Sequence, residues 1–517
     1  MNTFTFLNKA ALYKGDEPAM IFGDEVTTYA EFHQRALDIA GNLALAGLAP
    51  GDCVAFCLSN SPRILEVIYA CFAGGYVVIP VNARLHVKEV QYIVENSGAG
   101  VLFHSPELCV NYDAVAGADA VPPKRVVLQK NYTDNAAVDM YAAGQALEAA
   151  LDLEADAPAW LFYTSGTTGK PKGALWNHRI IRVVIMNYLA DLHNIQPGER
   201  VAHCAPLSHG SGVIALPAVA RGAVNVIYDN ASFIPRDLFA LVQRHKVSHI
   251  AFMAPTQIIK CLDEFDDSYD LSSLTAICYG GAPIHLEHLK AAIDTFGPVF
   301  MQLYGQGEAP ITISGMSALD HQHFHKTGDA RLGSAGTIRT DVDVAIFDAQ
   351  QEKLPANTLG EIAVRGDVVM AGYWQNAAAT EAAMHGDWLL TGDIGMIDES
   401  GYLFLMDRSK DVIITGGNNV YPREVEEVIV QHPSVASVVV VGVPDDYWGE
   451  AVHAVVQLNV GAQCAADEII AFCSDYLAGY KKPKAVDFVT EFPVSGYGKI
   501  LRREIRDRYW NSPEPGV

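Results

Sequence analysis

The densest phosphate-handling chemistry in the chain is Tyr163-Thr164-Ser165-Gly166-Thr167-Thr168-Gly169-Lys170-Pro171-Lys172-Gly173, directly after the apolar run Trp160-Leu161-Phe162. Glycines let the backbone approach an anion and turn N–H groups toward it, the hydroxyls add neutral donors, and Lys170 and Lys172 add charge. A Walker A loop needs four residues between its first Gly and the Gly-Lys pair, whereas only two separate Gly166 from Gly169. The segment therefore predicts a nucleotide-phosphate loop that is not a P-loop.

Further motifs follow in order: Pro206-Leu207-Ser208-His209, Gly280-Gly281-Ala282-Pro283, Tyr304-Gly305-Gln306-Gly307-Glu308, Thr391-Gly392-Asp393, Asp407-Arg408-Ser409-Lys410-Asp411 and Gly498-Lys499-Ile500. Together with the loop they resemble the adenylate-forming superfamily, which holds acyl-CoA synthetases, peptide-synthetase adenylation domains and beetle luciferases. The resemblance covers most of the chain. It implies an α/β fold with a large N-terminal multi-sheet domain (residues 1–407), a hinge at 408–411 centred on Lys410, and a smaller mobile C-terminal α+β domain (residues 412–517).

The chemistry implied is acid activation with ATP, Mg²⁺ and CoA. A carboxylate is a poor acyl donor, and adenylation makes its oxygen part of a phosphate ester. Two anions must meet, so the site needs Mg²⁺ and a well-placed cation. By resemblance Lys499 is that cation, bridging the acid and the α-phosphate. Glu308, with Thr164, is the Mg²⁺ site. Thr164, Ser165, Gly166, Thr167, Thr168, Gly169, Lys170 and Lys172 hold the phosphates. Tyr304 lies against adenine, with Gly281, Ala282 and Pro283 as a flat wall, and Asp393 and Arg408 take the ribose. Taken alone, Asp393 reads equally well as a turn residue, and Arg408 as half of an interdomain ion pair.

His209 matches the family residue that borders the acyl pocket, which the resemblance extends to Gly210, Phe252, Met253, Ala254, Gly305, Gly307 and Ile311. Amino-acid-activating relatives carry an Asp just after this region. Here the run is Gly210-Ser211-Gly212-Val213-Ile214, so an apolar carboxylic acid (fatty, branched or aryl) is the expected substrate. Gly416 and Gly417 are implied to line a pantetheine tunnel. A stand-alone enzyme loading a separate carrier protein, a luciferase-like oxygenase and a non-catalytic nucleotide-binding protein stay open. One departure stands out: the family usually has Thr at the position of Gly307. The glycine either removes a hydroxyl donor or makes room for a bulky acid, and the second reading is taken here.

These groups need rigid elements behind them. Short apolar runs alternate with helical patterns, which predicts largely parallel sheets. Met20-Ile21-Phe22 and Val26-Thr27 predict a hairpin around Gly23-Asp24. Thr28 and Glu31 predict a capping box on a helix whose apolar positions include Phe32, Leu37, Ile39, Ala40 and Leu43. A strand at Cys53 to Leu58 precedes a helix starting near Pro62, and the same order recurs as the strand Leu274 to Tyr279, a Gly280-Gly281 turn and a helix from Pro283 to Phe296. Strands feeding into glycine turns place ligand groups at the carboxyl ends of a sheet. Near residue 408 the character changes: strands at Val435 to Val443 and Ala451 to Leu458, a helix at Asp467 to Leu477, and the basic run Tyr480-Lys481-Lys482-Pro483-Lys484 describe a second domain of about 110 residues.

The chain has 517 residues, long enough for two or more cores. Its formal net charge of −24 argues against nucleic acid or an anionic membrane as a general partner. The longest apolar stretch, Val67 to Val81, is broken by Gly74, Gly75 and Pro80, so no membrane span is expected. The nine cysteines are scattered without a C-x-x-C pair, consistent with buried reduced thiols in a cytoplasmic protein. His321, His323 and His325 read as a polar loop or edge strand rather than a zinc site. About eighteen residues follow Lys499, so no fused carrier domain is expected. The partners implied are a small-molecule carboxylic acid and CoA, with a homodimer as common in the family.

Overall fold

The computed structural model describes residues 1–105, 124–127, 146–164, 170–229, 232–495 and 499–510. The capping box at Thr28 forms as its sequence predicts: Glu31 N–H donates to Thr28 Oγ1 and Thr28 N–H donates to Glu31 Oε2, opening the helix Tyr29–Leu45. Its apolar face, including Phe32, Ile39 and Leu43, is fully buried. The preceding strands Pro18–Phe22 and Glu25–Thr28 pair as the expected hairpin.

Two large sheets carry the N-terminal region. The strands Phe300–Tyr304, Ala276–Tyr279, His249–Met253, Arg200–His203, Val224–Ile227 and Pro18–Phe22 lie side by side in parallel. Antiparallel strands flank them and extend the sheet to nine. A six-stranded sheet runs through Lys124–Val127, Val101–His104, Cys53–Leu58, Val77–Asn82 and Pro158–Thr164, parallel throughout, and ends with the antiparallel Lys172–Asn177. The helix Pro62–Gly74 is buried along its whole length. Its two charges, Arg63 and Glu66, pair at 2.9 Å, and a helix otherwise apolar all round suits a position inside a large core.

The expectation of largely parallel sheets fails beyond residue 340. Asp343–Phe347, Gly360–Arg365, Trp388–Ile397 and Leu403–Arg408 form antiparallel pairs, and the link from Ile397 to Leu403 is too short for the crossover that parallel strands require. A further antiparallel set, Ile413–Thr415, Val435–Asp445 and Gly449–Leu458, has its own core. Val425 and Ile429 from the helix Pro422–Ile429 pack there with Val438, Val440, Val452, Val456 and Ile469. The helix expected from Pro283 starts later, at Leu286, and ends at Phe296.

The histidine triplet lies in the helix Ala318–Thr327, neither loop nor edge strand. His321 is buried and bonded to the Tyr279 hydroxyl, while His325 pairs with Asp294. Among the described residues no group of three or more His, Cys, Asp and Glu side chains is placed to hold a metal ion. Seven of the described cysteines are buried and the eighth, Cys464, is partly so. Among the described residues no helix is long and apolar enough to cross a membrane.

Candidate active site

Several site segments leave the carboxyl ends of parallel strands. Tyr279 runs into Gly280-Gly281, Tyr304 into Gly305, and Met253 into Ala254, while Thr164 ends its own strand in the second sheet. The turn after Tyr304 is tight. Gln306 N–H donates to the Ala309 carbonyl, Ile313 N–H to the Tyr304 carbonyl, and a Cβ on Gly305 would lie 2.6 Å from the Ile311 Cα. Ile311 adopts φ 44°, a left-handed conformation costly for a β-branched residue, so the turn is held by its surroundings.

Asp393 is the hub of the first corner. Its Oδ2 accepts from the Tyr304 hydroxyl and from Gln306 Nε2, both at 2.7 Å, and its Oδ1 pairs with Arg408 Nε at 2.7 Å. Asp393 and Arg408 sit directly opposite each other on the antiparallel strands Trp388–Ile397 and Leu403–Arg408, so their pairing follows from register. Asp393 is thus a strand residue, not a turn residue, although Gly392 before it takes φ 69°.

Lys499 enters this corner from the C-terminal core. Its N–H donates to Ser495 Oγ at 3.1 Å and its carbonyl accepts from Ser495 N–H, next to the antiparallel pairing of Val494 with Ile500. Desolvation of the ammonium pushes its pKa down to about 8, with the Arg408 charge adding to the fall and Asp393 and Asp411 opposing it.

Glu308 makes the second corner. Its Oε1 accepts from the Tyr373 hydroxyl at 2.7 Å and from Thr164 Oγ1 at 3.0 Å, and among the described residues Oε2 takes no hydrogen bond. Lys172 Nζ lies 4.6 Å from the centre of the Tyr373 ring, and exposed Lys170 lies over Tyr92. A carboxylate oriented through one oxygen, beside a threonine hydroxyl, is a hard-oxygen donor set that fits Mg²⁺. Ser165, Gly166, Thr167, Thr168, Gly169 and Gly498 lie outside the described residues.

The surroundings of Gly307 overturn the expectation of spare room. A Cβ there would lie 2.7 Å from the Phe162 ring and closer still to the Thr164 methyl group. Those two side chains fill the volume, and the Gly307 carbonyl accepts from Trp176 Nε1. Phe162 in turn stacks on Trp176 and meets His209 edge-on at 5.5 Å. His209 bonds Ser208 Oγ, and burial pushes its pKa down to about 4, so the imidazole is neutral.

Phe252 packs where side chains on Gly210 and Gly281 would be, at 3.3 and 3.2 Å from their absent Cβ atoms. Met253 is a correction. It is buried in the opposite core with Leu238, Ile258 and Ile277, because consecutive strand residues face opposite sides of the sheet. Ala282 is half-buried and Pro283 exposed, next to Gly281. Lys410 is exposed in a short 3₁₀ turn, Ser409–Asp411. Gly416 and Gly417 take φ 55° and 80° in an exposed turn, with Gly416 against the Trp448 ring.

The sequence reading missed Tyr373, Gln306 and Phe162. Gly372-Tyr373-Trp374 puts an aromatic pair after a glycine, a pattern that does not point to Glu308.

The AMP-binding enzyme family matches residues 7–374, and the AMP-binding enzyme C-terminal domain matches residues 424–499. A feruloyl-CoA synthase of Amycolatopsis is 36% identical over 95% of this chain and 96% of its own. A fatty acid–acyl-carrier-protein ligase of Streptomyces coeruleorubidus is 32% identical over 97% and 95%. Among solved structures, an amide bond synthetase from Marinactinospora thermotolerans superposes with a TM-score of 0.88 at 28% identity, covering 98% of this chain and 99% of that one. Matches of this extent to both parts of the family, on the same two-part α/β architecture, make this chain a member of the AMP-binding enzyme family, in the acid–thiol ligase branch of the adenylate-forming superfamily.

Proposed function

We propose that the protein is an AMP-forming acid:CoA ligase acting on an apolar carboxylic acid. In the first half-reaction a carboxylate oxygen attacks the α-phosphorus of ATP, an acyl-AMP forms and pyrophosphate leaves. In the second, the CoA thiolate attacks the acyl carbonyl and AMP leaves. Lys499 neutralises the charge that accumulates where the two anions meet. Asp393, held by Tyr304 and Gln306, offers acceptors to the ribose hydroxyls, with Arg408 beside it. Glu308 and Thr164 would hold Mg²⁺, which supplies charge neutralisation at the phosphates. Neutral His209, Gly210, Phe252 and Ile311 border an acyl pocket without an acidic counter-ion for a substrate ammonium.

The observation that carries this reading is the desolvated Lys499 ammonium, brought from one core into the field of Asp393 and Arg408 on another. Residues 408–411 then act as the hinge, with Lys410 as its pivot, between the N-terminal domain and a mobile cap beginning at 412. Rotation would bring Gly416 and Gly417 toward the acyl-AMP for the thiol step.

Acid-dependent exchange of pyrophosphate into ATP tests the first half-reaction, followed by a CoA-thioester screen over aliphatic, branched and aryl acids. ATP binding without exchange for any acid would overturn the enzyme reading in favour of a nucleotide-binding protein. The carrier-loading relative supports a second acceptor. Thioester formation on a pantetheinylated carrier but not on CoA would favour it.

A further inference from the structure

The helix Pro422–Ile429 projects three of its four charged residues, Arg423, Glu426 and Glu427, in two directions. Arg423 and Glu427, one turn apart, share a face. Arg423 N–H donates to Asp407 Oδ2 at 2.7 Å, and its guanidinium donates to the carbonyls of Leu405 at 2.6 Å and Gly333 at 3.5 Å. Glu427 Oε2 accepts from Leu286 N–H at 3.3 Å, and its Oε1 lies 3.5 Å from His285 Nδ1 and 3.6 Å from Arg423 Nε.

Leu286 opens the helix Leu286–Phe296, whose N-cap residue His285 makes no side-chain cap bond. Glu427 supplies the missing acceptor from across the molecule, where a carboxylate also complements the helix dipole. In the other direction, Glu426 Oε1 pairs with Arg502 at 2.9 Å, and Arg502 donates to the Val440 carbonyl. Arg502 lies three residues beyond Lys499. One short helix therefore grips the N-terminal region on one side and the segment bearing Lys499 on the other.

We propose that Arg423 and Glu427 form a latch with His285, Leu286, Leu405 and Asp407 that positions Lys499 for adenylation and is released for thiol transfer. The latch rests on the two-step reading above and adds to it which contacts hold the first arrangement. Glu427 and His285 touch neither reacting group, so they are positioning residues. Losing the latch should slow the step that needs Lys499 in place and spare the one that does not.

The test uses Glu427→Ala and His285→Ala in the full chain, cutting the latch from its two sides. Acid-dependent pyrophosphate–ATP exchange should fall roughly tenfold, the scale of one lost charge-assisted hydrogen bond. Transfer from supplied acyl-AMP to CoA should stay within about twofold of the parent. Limited proteolysis within residues 409–419 gives a readout that needs no substrate, and both variants should be cut faster. Equal loss in both half-reactions, or unchanged exchange with unchanged cutting, overturns the latch. Absence of exchange in the parent chain overturns the proposed reaction, while faster cutting of the variants still supports the contacts.

Discussion

The two acidic corners of the site are built to opposite specifications. Asp393 has both oxygens engaged, by Tyr304 and Gln306 on one and Arg408 on the other. Among the described residues Glu308 is gripped through Oε1 alone, by Tyr373 and Thr164. A carboxylate that meets neutral hydroxyls can be fixed in advance, because each oxygen has more than one acceptor site and a neutral donor demands little reorganisation. One that meets a dication must be aimed yet keep acceptor capacity in reserve. The first corner is preassembled, and the second is oriented and left unfinished.

The sharpest way to break this comparison is Lys499→Ala, which removes the cation at the preassembled corner. Adenylation should fall on the order of 10²–10³-fold, as for other single electrostatic donors, while transfer from preformed acyl-AMP to CoA persists. The same ammonium sets a pH limb. Its pKa is depressed to about 8, so the charged form is present below that pH and is lost as pH rises through it. The kcat/KM of adenylation, which reports the free enzyme, should decline above about pH 8, and Lys499→Arg should move the limb upward. A decline that the arginine variant leaves in place would assign the limb to another group.

Gly307→Thr strikes the unfinished corner next. The added side chain collides with Phe162 and Thr164, and overpacking of this sort costs about 1–3 kcal/mol. Because Thr164 also supports Glu308, ATP-dependent adenylation should drop about tenfold or more and by similar factors for small and bulky acids. Selective loss of bulky acids would return the glycine to the acyl pocket.

Tyr373→Phe deletes one hydrogen bond to Glu308 and little volume. The Mg²⁺ concentration for half-maximal adenylation should rise by roughly tenfold, in keeping with a bond to a charged acceptor. An unchanged Mg²⁺ dependence would mean that Thr164 alone orients the carboxylate. Gln306→Ala, at the saturated corner, should matter least: Tyr304 and Arg408 still hold Asp393, so the KM for ATP should rise only a few-fold. A larger effect than that of Tyr373→Phe would reverse the ranking of the corners.

Much of this arrangement was legible because local and global signals agree. Thr28 and Glu31 stand at the spacing a capping box needs, and the helix behind them buries the expected face. The motif residues Tyr304 and Asp393 meet although 89 positions separate them; the ordered motifs implied one nucleotide for both, and the bond between them was not foreseen. Met253 was misjudged because two neighbours on a strand cannot line one pocket. The histidines at 321, 323 and 325 look strand-like by their alternation, yet Ser317 caps a helix before them and Gly328 ends it in a left-handed conformation. Tyr373 stayed invisible because its partner lies 65 residues away. Its role comes from where a loop returns, and no local pattern encodes that.

The burial of the cysteines has a chemical consequence. On the proposed reading the protein makes an activated acyl group and must deliver it to a visiting thiol. Burial pushes the thiols of Cys53, Cys57, Cys204 and Cys278 up to about 12, so at neutral pH they are protonated and poorly nucleophilic. These four sulfurs therefore do not compete for the acyl group, nor do they capture CoA as a mixed disulfide. A molecule that works on a foreign thiolate keeps these thiols silent.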